Sequence, residues 1–166
     1  MNMSEPNIAR PQSMALQAAT PLHRPFAEFK YSLPSDVDMM SPFVDHLMRV
    51  IGTFRIADGS EVDIEIALRE ALANAVIHGN QEDLHKHVYL TMFCVADGEI
   101  SVMIRDEGAG FDSSSVPDPS APEHRMSTHG RGICLMRALM DEVSFEQGGT
   151  AVYMRKSPSS PSYRPQ

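Results

Sequence analysis

The sequence predicts an α+β fold, a two-layer sandwich of helices over a largely antiparallel sheet. Two observations carry this expectation. Strand-like runs come in pairs around tight glycine turns, at Asp97-Gly98 and Gly148-Gly149, which is hairpin chemistry. Amphipathic helical runs lie before and between them, and each apolar stripe needs an apolar sheet face to meet.

The elements follow in order. EFKYSLPS reads as a first strand ending at Pro34, with Ser35 or Asp36 as a helix cap before VDMMSPFVDHLMRVI, in which Pro42 is expected to kink or delay the helix. From Val62 to His78 the residues Ile64, Ala67, Leu68, Ala71, Leu72 and Ala75 recur at i, i+3, i+4 and i+7, a second helix with a core face. HVYLTMFCVA and EISVMIRD form a hairpin across Asp97-Gly98. Residues 111–129 are polar and rich in Ser and Pro, too long for an ordinary connection, and read as a lid. Gly130 to Met140 resumes helical spacing, and DEVSFEQ and TAVYMRK form the last hairpin. Residues 1–26 mix Pro, Gln, Ser and Ala without periodicity and are expected to be a flexible arm; 157–166 reads as a flexible tail, leaving 27–156 as the compact unit.

A chain of 166 residues supports one domain with a proper core. Its 14 basic and 22 acidic side chains give a net charge of -8, which disfavours nucleic acid and anionic membrane as partners while leaving room for a local phosphate site. Two cysteines, Cys94 and Cys134, make no disulfide framework and no zinc spacing, and both read as buried thiols. With no apolar h-region at the start and no run of spanning length, the expected location is the cytoplasm.

Several constellations could carry chemistry. Glu70 and Asn74 lie four residues apart on the second helix, about 40° apart in projection, at the edge of the apolar stripe, and His78 continues the row. Taken singly, such a pair is most often a solvated flank. Functionally, the carboxylate could take a proton from an attacking hydroxyl while the amide oxygen serves magnesium, which keeps several waters. DEGAG follows a strand, placing Asp106 at its end with Gly108 and Gly110 letting backbone approach a flat ligand; an adenine amino group suits that carboxylate. Gly130, Arg131 and Gly132 open a helix, where free N–H groups favour a triphosphate. Thr150 beside Gly149 could reach a base with its hydroxyl. His85 and His87 could join His78 on a metal but lack acidic or thiol partners, and read as solvated strand histidines. The methionines, Met39, Met40, Met136 and Met140 among them, fall mostly at core spacing, with a partner-binding stripe on the first helix as the other reading. No G-x-x-x-x-G-K-[ST] is present, which removes P-loop chemistry.

The joint order of these pieces, helix, strand end, lid, helix start and final hairpin, resembles the GHKL superfamily over roughly residues 28–156. EALANAVIHGN looks like its N box, DEGAGFD its first glycine box, HGRGICLMRALMDEV its second and GGTAV its terminal Gly-Thr element. The resemblance is strongest to the anti-sigma-factor serine/threonine kinases; Ile77 stands where histidine kinases often carry lysine. It implies a Bergerat-type ATP-binding fold, with ATP and Mg2+ as cofactors. Glu70 looks like the general base, Asn74 the magnesium ligand, Asp106 the adenine contact, Gly108 and Gly110 the base-flanking turn, Gly130, Arg131 and Gly132 the phosphate contacts, and Thr150 the support of the adenine end. It also implies a STAS-domain anti-anti-sigma protein as phosphoacceptor, a sigma factor as competing partner, and a homodimer. A nucleotide-gated module that sequesters a regulator without phosphoryl transfer is the alternative. A catalytic module acting on a histidine-bearing partner chain is a third reading.

Overall fold

The computed structural model describes residues 25–111 and 128–159. Strand β1 (Pro25–Pro34) leads into helix α1 (Val37–Phe54), helix α2 (Glu61–Ala73) and a π-helical turn (Asn74–Gly79). Strands β2 (His87–Val95) and β3 (Ile100–Arg105) follow, then α3 (Thr128–Leu139), β4 (Glu142–Glu146), a 3-10 turn (Gln147–Gly149) and β5 (Ala151–Lys156). The five strands form one sheet in the order β1-β2-β3-β5-β4, and every neighbouring pair is antiparallel. The α+β sandwich expected from the hairpins is the architecture observed.

Each element forms for a local reason. The Asp36 carboxylate accepts the Asp38 N–H at the start of α1. Pro42 lies inside α1, exposed, and the helix runs through it rather than starting after it. At its C-terminus Arg55 takes a left-handed conformation, φ 51°, and its N–H returns to Gly52 O. Strand β2 alternates half-buried and buried residues, sending Val88, Leu90, Met92 and Cys94 to the helices. Those side chains, with Ile100, Val102, Ile104 and Met154, meet Leu47 and Ile51 of α1, Ile64, Leu68 and Leu72 of α2, and Met136 of α3. Burial pushes the Cys94 thiol up to about 11, so it is core rather than a nucleophile. Cys134 is only half-buried, because its place on α3 faces away from the sheet-facing row of Ile133 and Met136.

Four expectations change at this stage. The second helix does not run as one α-helix to His78: it passes into the π turn at Asn74, where the Asn80 N–H reaches Ala75 O at 2.8 Å. His85 sits exposed in a turn before β2, its N–H held by Asp83. Met39 is exposed, while Met136 and Met140 are core. At the chain ends, β1 already begins at Pro25, and residues after β5 are docked: Ser157 N–H donates to Asp141, and the Ser60 and Ser159 hydroxyls meet at 2.5 Å. The remainder of the expected arm and tail, and the expected lid apart from its two ends, lie outside the described residues.

Candidate functional site

Where α2 gives way to the π turn, the helix faces the C-terminal end of β3 and the start of β5. A cavity of about 800 Å³ opens there. It is lined by Asn74, His78 and Gly79 of the π turn, by Asp106, Gly110, Thr150 and Val152, and by Gly130 and Ile133 of α3. Such a size and a largely apolar lining with few polar groups suit a small organic ligand.

Asp106 is the buried charge of this cavity, 9% exposed. Burial pushes its carboxyl above the usual aspartate range, against the opposing pull of the Gly108 N–H and of Lys86 and Arg105. The Gly108 N–H donates to its Oδ1 at 2.8 Å, closing the turn after β3. Asp106 in turn donates its own N–H to Thr150 O at 2.9 Å, and the Phe111 N–H donates to Gly148 O at 3.0 Å. The DEGAG loop is thereby zipped to the Gly148-Gly149 turn. Gly110 has φ +73°, and a Cβ there would run into the Gly148 carbonyl, so only glycine fits. A Cβ at Gly79 would stand 2.5 Å from the Asp106 Cγ, which is how closely the π turn presses on the carboxylate.

The other end of the site is built differently. A Cβ at Gly132 would lie 2.5 Å from Glu70 Oε2 and 3.8 Å from Asn74 Nδ2, so the glycine makes room for the carboxylate where α3 crosses α2. The Asn74 amide nitrogen is buried without a hydrogen-bond partner among the described residues. A buried orphan of this kind costs about 1–3 kcal/mol and calls for a partner beyond the described residues. Amide oxygen and nitrogen are interchangeable by a flip, so Asn74 can present either a donor or a metal-ligating oxygen there. Among the described residues no three His, Cys, Asp or Glu side chains cluster as a metal cage. An amide oxygen beside one carboxylate fits a magnesium ion that keeps most of its waters and takes its other ligands from a phosphate chain.

The ten residues expected at the site therefore divide. Asn74, His78, Asp106, Gly110, Gly130 and Thr150 line the cavity. Glu70, Gly108, Arg131 and Gly132 do not; Glu70 and Gly132 meet at its border, Gly108 packs against the Gly79 carbonyl, and Arg131 is exposed on α3. Helix α3 begins at Thr128, two residues earlier than expected, so Gly130 and Arg131 fall within its first turn and Gly132 just past it. The Thr150 hydroxyl donates to Gln147 O at 3.0 Å, which leaves its lone pairs for a ligand. Gly79, Phe111 and Phe145 also line the cavity and were not singled out from sequence; the last two meet edge-on at 5.3 Å between ring centres.

Comparison with known proteins places this geometry. Residues 33–156 match the histidine kinase-like ATPase domain, and the chain belongs to that family, within the GHKL superfamily. Over 101 residues it is 33% identical to an anti-sigma F factor of Priestia megaterium, covering 57% of this chain and 67% of that one. It is 37% identical over 101 residues to the serine-protein kinase RsbW of Bacillus subtilis, covering 57% of this chain and 62% of the relative. The solved RsbU and RsbW domains of Rv1364c from Mycobacterium tuberculosis superpose with a TM-score of 0.54 at 18% identity, over 80% of this chain and 32% of that one, which is a likeness of fold. None of the helices among the described residues is long and apolar enough to cross a membrane.

Proposed function

We propose that this chain is an ATP- and magnesium-dependent serine/threonine-protein kinase that acts as an anti-sigma regulatory factor in the cytoplasm. The observation that carries the reading is the pairing, in one cavity, of a buried carboxylate at Asp106 with an orphaned amide at Asn74, four residues beyond Glu70. Membership of an ATPase family and similarity to proteins named anti-sigma F factor and serine-protein kinase support it. The acceptor is a serine or threonine of a STAS-domain anti-anti-sigma protein, a sigma factor is the competing partner, and the working unit is a homodimer.

The roles follow from the two ends. Asp106 accepts a hydrogen bond from the adenine amino group, while Gly108 and Gly110 keep side chains out of the way of the base and Thr150 supports it. His78 lines the wall of the cavity. Gly130, Arg131 and Gly132 contact the phosphates at the start of α3, where the helix dipole favours anions. Asn74 would hold Mg2+ through its amide oxygen, and the ion supplies charge neutralisation on the phosphate chain when bound. Glu70 takes the proton of the acceptor hydroxyl as its oxygen bonds to the γ-phosphorus and the bond to ADP breaks. Positioning and electrostatics supply most of the rate, and the base adds about 10²- to 10⁴-fold.

The test is transfer from labelled ATP to candidate STAS-domain proteins by the unmodified chain and by Glu70→Ala. Acid-stable phosphate on serine or threonine, lost in the variant, is the expected result; acid-labile phosphate would indicate a histidine acceptor instead. One observation favours a second reading, a nucleotide-gated clamp without transfer: the Glu70 carboxylate sits against Gly132 outside the cavity lining. That reading wins if ATP binds and the unmodified chain transfers nothing.

A further inference from the structure

We propose that Asn80 is a positioning residue for the adenine end of the site: its buried side-chain amide fixes the loop that carries Asp106, and through it the preference for a 6-amino purine. The inference rests on the reading of the cavity as an ATP site. It begins with a residue that no proposed chemistry uses.

Asn80 is 0% exposed, directly after the π turn. Buried amides are tolerated only when hydrogen-bonded, and this one is bonded on both sides. Its Nδ2 donates to Ser35 Oγ at 2.6 Å and to His87 O at 3.0 Å, while its Oδ1 accepts the Glu107 N–H at 2.8 Å. One side chain thus ties together the corner between β1 and α1, the start of β2, and the loop after β3. The first two ties are scaffold.

The third lands on the site. The Glu107 N–H belongs to the peptide joined directly to Asp106, so Asn80 fixes the plane on the C-terminal side of that residue. On the N-terminal side, the Asp106 N–H is fixed by Thr150 O at 2.9 Å. Asp106 is held by both of its peptide planes, and Asn80 supplies one of them. A second tether runs through the Glu107 carboxylate, which accepts the His87 N–H at 2.7 Å and the Tyr89 hydroxyl at 3.1 Å. That tether is solvent-exposed, and exposed contacts of this kind hold weakly. The clearance is small: a Cβ at Gly79, the residue before Asn80, would be 2.5 Å from the Asp106 Cγ, and one at Gly108 would strike the Gly79 carbonyl. With packing this close, a small slide of a loop released from Asn80 turns the carboxylate against the π turn, even with the Thr150 and Gly108 hydrogen bonds in place.

The discriminating probe is inosine triphosphate, which has an oxo group where ATP has the amino group that Asp106 would bind. A residue that merely stabilises the fold affects both nucleotides alike; one that aims Asp106 affects ATP alone. Titration calorimetry with Mg2+ would use the full chain, Asn80→Ala and Ser35→Ala, with thermal unfolding as the check on folding. The unmodified chain should prefer ATP by about tenfold or more, the worth of one charge-assisted hydrogen bond. Asn80→Ala should lose most of that preference through weaker ATP binding, with ITP affinity changed by less than about twofold on the same scale. Ser35→Ala, which cuts a scaffold tie and spares the Glu107 link, should keep the preference. If Asn80→Ala does not fold, Asn80→Ser carries the same expectation, since its hydroxyl is too short to reach the Glu107 N–H.

Equal weakening of ATP and ITP in a folded Asn80 variant, while the unmodified chain prefers ATP, overturns the proposal and leaves the ATP site standing. No preference for ATP in the unmodified chain overturns it as well. Binding of neither nucleotide by the folded chain removes the ATP site, and this inference with it.

Discussion

The two ends of the cavity are finished to different degrees. At the Asp106 end the chain satisfies itself: Gly108, Thr150, Gly148 and Asn80 all hold the loop by hydrogen bonds, and glycines at 79, 108 and 110 fit with no room for a Cβ. At the Glu70 end the Asn74 amide has no partner among the described residues, and the Glu70 carboxylate occupies the space kept by Gly132. A rigid, pre-formed end suits recognition of a base whose shape never changes. An end with an orphaned group suits charges that arrive with the ligand, since a preorganised donor set gains its partner only when cation and phosphates enter. Under the proposed function, the contrast gives binding to one end and chemistry to the other.

Substitutions should separate accordingly. The largest effect is expected at the chemical end: Glu70→Gln should lower phosphoryl transfer by about 10²- to 10⁴-fold, with ATP affinity within about twofold of the unmodified chain. Quench-flow transfer beside calorimetry checks both numbers. A variant that loses ATP affinity and transfer together would erase the division of labour. At the recognition end, Asp106→Asn should weaken ATP by about 10- to 100-fold, as expected for a charge-assisted hydrogen bond made worse than neutral by an amide that can donate to the wrong atom.

Gly110→Ala sharpens the same comparison through the backbone. With φ +73° and the Gly148 carbonyl in the way, the added methyl should destabilise the fold by about 1–3 kcal/mol and loosen the base-side loop. Thermal unfolding of the apo chain measures the first, and ATP titration the second. By contrast, Gly52→Ala, where nothing lies within 4 Å of the new methyl, should leave ATP binding unchanged.

The smallest effect is in pH. Burial raises the Asp106 pKa, so the folded apo chain takes up this proton at a higher pH than a free aspartate does. The protonated form is neutral and accepts from an adenine amino group only weakly, without the help of the charge. ATP affinity should therefore fall as the medium is acidified, beginning above the ordinary aspartate value of 3.8, while ITP affinity stays flatter over the same range. Parallel pH titrations with the two nucleotides read this out. A matching decline for both would place the titrating group elsewhere.

Much of this was legible in the residues because the deciding forces are local. Asp97-Gly98 and Gly148-Gly149 force reversals whatever surrounds them, and with two hairpins the antiparallel sheet follows. Asp106 and Gly110 were visible because a carboxylate and glycines closing a strand end is a local pattern. The π turn was not, since periodicity describes an α-helix and the shift at Asn74 depends on the Asn80 N–H choosing Ala75 O within a fold where Asn80 is otherwise fully bonded. Gly79 and Asn80 stood inside a motif that could be quoted but not explained; their partners, Asp106 and Glu107, come from another element. Phe145 lines the cavity only because β4 packs beside β5, a long-range fact. The place of Cys134 on α3 likewise depends on which helix face meets the sheet.

The most direct measurement of the whole account is calorimetric titration of the chain with ATP, with and without Mg2+, alongside Asn74→Ala. Magnesium should tighten ATP binding to the unmodified chain by about tenfold or more and should do so only weakly in the variant, because under the proposed function the orphaned amide is the protein's hold on the ion. An equal magnesium effect in both proteins, or no ATP binding by the folded chain, would contradict it.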